Sequence, residues 1–171
     1  MKNILRESIT SVIEARGVKA VKYTYKNSTR DELFCIKGGM KTIANFIERV
    51  AKRVDPGFEI EKVDNKRVVV TKETDLGKVS IYYEAHPKYP RYEIRFVNAE
   101  RSSTETNKVF DVLKKTGYGR GVGIGYYTID YEDFHKDIDE NSTEADLEKA
   151  LYTVLEKTVK PYFKSLEKFN Q

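Results

Sequence analysis

The chain has 171 residues, 39% of them hydrophobic and 34% charged, with a net charge of +4 at pH 7. That length sustains a core without disulfide or metal staples, so a single domain over 1–171 is expected. No apolar run reaches the roughly 18 to 20 residues that cross a bilayer, and no membrane partner is expected.

Residues 2–15 read as a short amphipathic helix through Ile4, Leu5, Ile9, Val12 and Ile13. It carries Arg6, Glu7, Glu14 and Arg16 in place of the apolar core of a secretory signal. Alternation of Val21, Tyr23 and Tyr25 with Lys22, Thr24 and Lys26 predicts a half-buried strand. A turn at Asn27–Asp31 leads to a second strand around Glu32–Ile36, where the lone Cys35 sits in an apolar run as an inert thiol. One cysteine forms no intramolecular disulfide and suits a reducing, cytoplasmic setting. After Gly38-Gly39, Met40, Ile43, Phe46, Ile47, Val50 and Val54 recur at helical spacing until Asp55-Pro56-Gly57.

Four strands are then predicted in succession, near Phe58–Val63, Arg67–Lys72, Lys78–Ala85 and Arg91–Asn98, joined by hairpin-length connectors. A helix from about Glu105 to Lys115 follows, capped by Ser103 or Thr104. The glycine run reads as a loop entering a strand at Tyr126–Tyr131. A long helix from about Thr143 to Phe169 ends the chain, with Pro161 expected to kink or divide it. The predicted fold is α+β: a mostly antiparallel sheet, with a four-strand meander at 58–98 plus two or three further strands, packed by about four helices.

The most distinctive stretch is Gly117-Tyr118-Gly119-Arg120-Gly121-Val122-Gly123-Ile124-Gly125. Extended, it would place its glycines on one face and Tyr118, Arg120, Val122 and Ile124 on the other. The spacing fits neither G-x-G-x-x-G nor G-x-x-x-x-G-K-[ST], which argues against nucleotide cradling of those kinds. Arg120 to Tyr127 overlays the signature strand of the RNA-recognition motif at its basic residue, two glycines and final aromatic. Val122 and Ile124 stand where that motif stacks bases, and the element order differs, so the likeness is one of chemistry alone. Lys114, Lys115, Tyr118, Arg120 and Tyr126 are the candidate patch for phosphate contact and stacking. The alternatives are a surface loop, or a strand whose glycines let another element pack closely.

Asp137, Asp139, Asn141 and Glu148 match four positions of a calcium loop, but Ser142 replaces the required glycine and no entering helix is predicted. Capping of the last helix by Asn141, with Glu144 three residues on, accounts for the same residues. His86 and His135 belong to no zinc pattern. A dyad assembles in space and not in sequence, and His135 with Asp133 or Asp137 is the best candidate. Charge is uneven: residues 1–54 hold twelve Lys/Arg against five Asp/Glu, and residues 131–149 hold eight acids against two bases. Such polarity attracts a polyanion to one region and repels it from another.

Met1-Lys2-Asn3-Ile4-Leu5-Arg6-Glu7-Ser8-Ile9, followed by Val12-Ile13-Glu14-Ala15, resembles the leader of head-internal virion proteins of large tailed phages. The resemblance covers residues 1–15 and implies a virion-associated protein cut after glutamate by a maturation protease. Val12 and Glu14 would hold the recognised positions, where isoleucine or leucine is more usual at the first.

The sequence therefore leads to a non-enzymatic binding or assembly protein acting through residues 117–127 on nucleic acid or a partner subunit. No catalytic residue, metal or cofactor is assigned, and oligomerisation is compatible with it. The alternative is a small intracellular enzyme with a site near His135 and the acidic segment 130–140.

Overall fold

The computed structural model describes residues 17–24, 32–99 and 104–169. The leader-like helix at 2–15 and the turn at Asn27–Asp31 lie outside them. Strands β1 (Lys19–Tyr23) and β2 (Leu33–Lys37) pair antiparallel as a two-stranded sheet, Val21 opposite Cys35. Helix α1 (Met40–Val54) buries Ile43, Ala44, Phe46, Ile47, Val50 and Ala51 along one side. Each larger apolar side chain of that stripe contributes about 1.5–3 kcal/mol on leaving water. The helix stops at Asp55, whose carboxylate accepts the Gly57 N–H at 2.8 Å.

The meander is present as β3 (Glu59–Val63), β4 (Arg67–Glu73), β5 (Gly77–Glu84) and β6 (Arg91–Asn98). Helix α2 (Thr104–Lys114) follows, then a two-residue strand β7 (Arg120–Gly121) and β8 (Tyr126–Asp130). A single helical turn, α3 (Tyr131–Phe134), leads to α4 (Glu144–Phe169). The second sheet has six strands in the order β3-β4-β5-β6-β8-β7, every neighbouring pair antiparallel. The fold is α+β, with helices on an antiparallel sheet and a long helix at its end.

Register separates the two faces of this sheet. Val70, Ile81, Ile94 and Ile129 stand opposite one another across four strands, and all are fully buried. One residue along, Thr71, Ser80, Arg95, Thr128 and Arg120 form a polar row reaching β7. A one-residue step changes face, so the helices cover the first row and leave the second open. Helix α4 packs between α1 and α2 on the covered face. Tyr162 of α4 donates its hydroxyl to Asn98 Oδ1 at 2.7 Å, tying the helix to the end of β6.

Two expectations about α4 change. Pro161 neither divides nor ends it. The buried stripe continues on both sides, through Leu155, Val159, Tyr162 and Leu166, and packing outweighs the one missing backbone bond. The cap is Thr143, not Asn141: Thr143 Oγ1 accepts the Asp146 N–H at 3.3 Å, and the Asp146 carboxylate accepts the Thr143 N–H at 2.8 Å. That is a reciprocal capping box two residues later than predicted. Among the described residues no helix is long and apolar enough to cross a membrane.

Candidate functional site: a cleft beneath the glycine hairpin

Charges alternate with core residues along β6, so Arg91, Glu93 and Arg95 project onto the open face while Tyr92, Ile94 and Phe96 enter the core. Strand β8 repeats the pattern, with Tyr126, Thr128 and Asp130 on the open face. Between these strands and the β7–β8 hairpin lies a cleft of about 890 Å³. Arg91, Glu93, Arg95, Thr128 and Asp130 line its floor; Val122, Ile124 and Tyr126 line the hairpin side, and Leu33 and Pro90 close the far end. The volume lies in the range of ligand sites in proteins.

The glycine run folds back on itself rather than extending. Gly117, Gly119, Gly123 and Gly125 all have φ between 72° and 81°, so the chain turns repeatedly. Val122 N–H bonds to Tyr126 O at 2.9 Å and closes the turn, which holds Val122 and Ile124 at the tip, 46% and 62% exposed. Gly119 is the constrained position. A Cβ there would lie 2.3 Å from Thr128 O and 2.6 Å from the Ile129 side chain.

Gly119 also distributes the predicted binding residues. In an extended chain Tyr118 and Arg120 would share a face; the left-handed residue between them sends them to opposite sides. Arg120 and Tyr126 line the cleft. Tyr118 packs against the core on the helix side, where its carbonyl accepts the Tyr127 hydroxyl at 2.5 Å and Lys157 lies 5.9 Å from its ring. Lys114 and Lys115 are exposed at the end of α2 and do not line the cleft; Lys114 lies 3.9 Å from Asp111. The structure thus joins two of the five and puts the other three elsewhere.

The cleft floor consists largely of residues outside the predicted patch. Glu93 is 8% exposed and accepts from Arg95 Nε at 2.5 Å and from Thr128 Oγ1 at 3.4 Å. The Arg95 guanidinium lies 3.8 Å over the Tyr82 ring, so this arginine is held on two sides. Beside Glu93, burial and the hydrogen bond to Glu93 push the Asp130 carboxyl up to about 6. The Arg120 charge opposes this rise. Among the described residues, neither Arg91 nor Arg120 makes an ion pair within 4.0 Å. Their Cα atoms stand on the order of 16 Å apart, from two strand spacings across and four residues along the sheet. The signal that reveals this floor is the alternation Arg91-Tyr92-Glu93-Ile94-Arg95-Phe96, which marks a strand charged on one face and apolar on the other.

The remaining candidates resolve differently. His135 is 4% exposed, its Nδ1 lies 2.9 Å from Phe34 O, and among the described residues Nε2 has no hydrogen-bond partner. Rings of Tyr92, Phe134 and Tyr131 surround it, and neither Asp133 nor Asp137 forms the expected dyad. Burial holds its imidazole down at about 4, so it is neutral at pH 7. A smaller cavity of about 190 Å³ lies beside it and shares Leu33, Tyr131 and Glu132 with the main cleft. In the acidic segment, Asp139 accepts the Asn141 N–H at 2.8 Å, Asp146 caps α4, and Glu148 pairs with Arg49 of α1. These carboxylates are occupied locally, and no group of three or more metal-ligating side chains forms among the described residues. Cys35 is fully buried and burial pushes its thiol far up, as an inert thiol requires.

No family model, curated protein or solved structure matches this chain.

Proposed function

We propose that this protein is a non-enzymatic binding protein whose ligand seat is the open-face cleft, and that the ligand is a single-stranded nucleic acid. The supporting observation is the pair Arg91 and Arg120, two cations without an ion-pair partner within 4.0 Å among the described residues, placed on either side of one cleft. Their separation exceeds a single phosphate and suits a backbone running across the sheet. Tyr126, lining the same cleft with Val122 and Ile124, supplies flat apolar surface for a base. Arg95 is engaged by Glu93 and Tyr82 and acts as support.

The test is fluorescence anisotropy with labelled single- and double-stranded DNA and RNA at low and moderate salt. Wild-type protein is expected to bind single strands in a salt-sensitive manner, and Arg91→Ala, Arg120→Ala protein to bind them weakly. Absence of binding at low salt rejects the proposal.

A second reading, contact with a partner subunit, is favoured by the apolar hairpin tip at Val122 and Ile124. It accords with the virion role implied by residues 1–15. Ile124→Lys is expected to abolish self-association in light scattering if the tip is a subunit contact, and to leave the mass unchanged otherwise.

A further inference from the structure

The two arginines are separated by acid, and a polyanion site needs a reason to tolerate it. Glu93 and Asp130 are direct neighbours across β6 and β8, in the row between Arg91 and the Arg95–Thr128–Arg120 row. Phosphates are repelled from that point and drawn to the arginines on either side of it. What reaches the floor between them must be a part of the ligand that donates hydrogen bonds.

We propose that Asp130 is a base-reading residue and that the cleft selects guanine, with Glu93 as its positioning residue. The proposal rests on the nucleic-acid reading above. An ionised carboxylate only accepts, and it offers two oxygens side by side. Of the four bases, guanine alone presents two adjacent donors, N1–H and the N2 amino group, on its Watson–Crick edge. Adenine and cytosine place a ring-nitrogen acceptor beside their single amino donor, and uracil or thymine flanks its one N–H with carbonyl oxygens. Each of those arrangements sets an acceptor against a carboxylate oxygen.

The surroundings assign the roles of the two acids. Both Glu93 oxygens are already bonded, one to Arg95 and one to Thr128, and the residue is buried. Asp130 is half-buried and lines the cleft, which leaves it the member able to meet a ligand. Fixed Glu93 stands directly opposite Asp130 across the strand pair and limits where its side chain can lie. A base whose edge lies on Asp130 has Tyr126 on the same strand and face for its ring, and Arg120 on the adjoining strand for its phosphate. A divalent cation fits less well: only two carboxylates converge, and no third ligand joins them among the described residues. An organic cation would meet Arg91 and Arg120.

The experiment uses the whole chain and a labelled oligothymidine carrying one central guanine, adenine, cytosine or inosine, read by anisotropy at pH 7.5. Guanine is expected to bind roughly tenfold more tightly than adenine, the discrimination of one bidentate pair. Inosine, which keeps N1–H and lacks the amino group, is expected between them. Asp130→Asn, which places a donor in the carboxylate's position, is expected to remove the preference, guanine then binding no more tightly than adenine. Glu93→Gln is expected to shrink the preference without reversing it. Guanosine monophosphate, and not adenosine monophosphate, is expected to compete.

Equal affinity for all four oligonucleotides overturns the guanine assignment and leaves cleft binding standing. A guanine preference that survives in Asp130→Asn overturns the role of Asp130. Failure to bind any oligonucleotide overturns both this proposal and the nucleic-acid reading. The inosine comparison changes only the ligand, so it stands even if a variant misfolds.

Discussion

Asp130 and His135 lie five residues apart and respond to acid in opposite senses. Burial lowers the His135 imidazole to about 4, below its ordinary 6.5. Between those values the unfolded chain takes up a proton that the folded one refuses, so stability falls as pH drops through the window, by about 3 kcal/mol for this group. Asp130 is raised from 3.8 to about 6, chiefly by burial and by Glu93. There the folded state holds the extra proton, and stability rises as pH falls from 6 towards 4. The two partly cancel. Asp130→Asn removes the opposing member, so its urea midpoint is expected to decline more steeply than wild type between pH 6.5 and 4.5. An equal slope in both proteins contradicts the pairing. Glycine substitutions separate two costs at the same scale. Gly119→Ala incurs both a left-handed backbone and a clash with Thr128 and Ile129, and is expected to cost more than about 2 kcal/mol. Gly123→Ala has the same backbone sign with nothing within 4 Å of the new carbon, and about 1 kcal/mol is expected. Thermal unfolding of the two variants ranks them directly.

Among the elements, α4 and the β7–β8 hairpin carry the contrast between support and work. Helix α4 lies on the covered face, where Leu147, Leu151, Val154, Leu155, Val159 and Tyr162 are all fully buried. Its start is a capping box with one hydroxyl and one carboxylate, so Thr143→Ala should lower stability by about 1 kcal/mol. The same variant should leave ligand affinity unchanged, because the cap lies on the side away from the cleft; calorimetric unfolding and anisotropy together check both halves. The hairpin is attached to the rest of the sheet mainly through β8, since β7 contributes two residues and only Thr128 and Tyr127 face it. An element so lightly paired opens at little cost, and hydrogen exchange is expected to be faster at Val122 than at Ile94. Ligand in the cleft should slow it.

For the whole molecule, charge is balanced where the ligand is proposed to sit. Arg91, Arg95 and Arg120 face Glu93, Asp130 and Glu132 around one cleft. Binding driven by a broad basic field would depend steeply on salt; here only the two arginines free of ion pairs in the described structure act on phosphate. Each of Arg91→Ala and Arg120→Ala is therefore expected to lower the slope of log affinity against log salt by about one. A slope that needs many phosphate contacts would instead point to the basic N-terminal third of the chain. The charge asymmetry between residues 1–54 and 131–149 has a partial structural outlet, because Arg49 of α1 pairs with Glu148 of α4.

Alternation and helical spacing were sufficient for the longer elements, though not for β7 or the single turn α3. The meander, α1, α2 and the long last helix follow from local periodicity, which water imposes on any segment with one wet and one dry side. The inert character of Cys35 followed in the same way, from its apolar neighbours. The glycine run was recognisable as unusual, but its conformation was not: the left-handed backbone of Gly119 lies against Thr128 and Ile129, and that contact exists only once β7 folds back on β8. Hence Tyr118 and Arg120, two residues apart and equal candidates by spacing, end on opposite sides of the sheet. The pairing of β6 with β8 spans the helix between them, and local pattern carries no information about such a partner. Asp130 gained Glu93 as a neighbour through that pairing alone. Sequence determined which residues would be wet or dry; tertiary structure decided which wet residues would meet, because a charged side chain's neighbours are set by strand order and register across long stretches of chain.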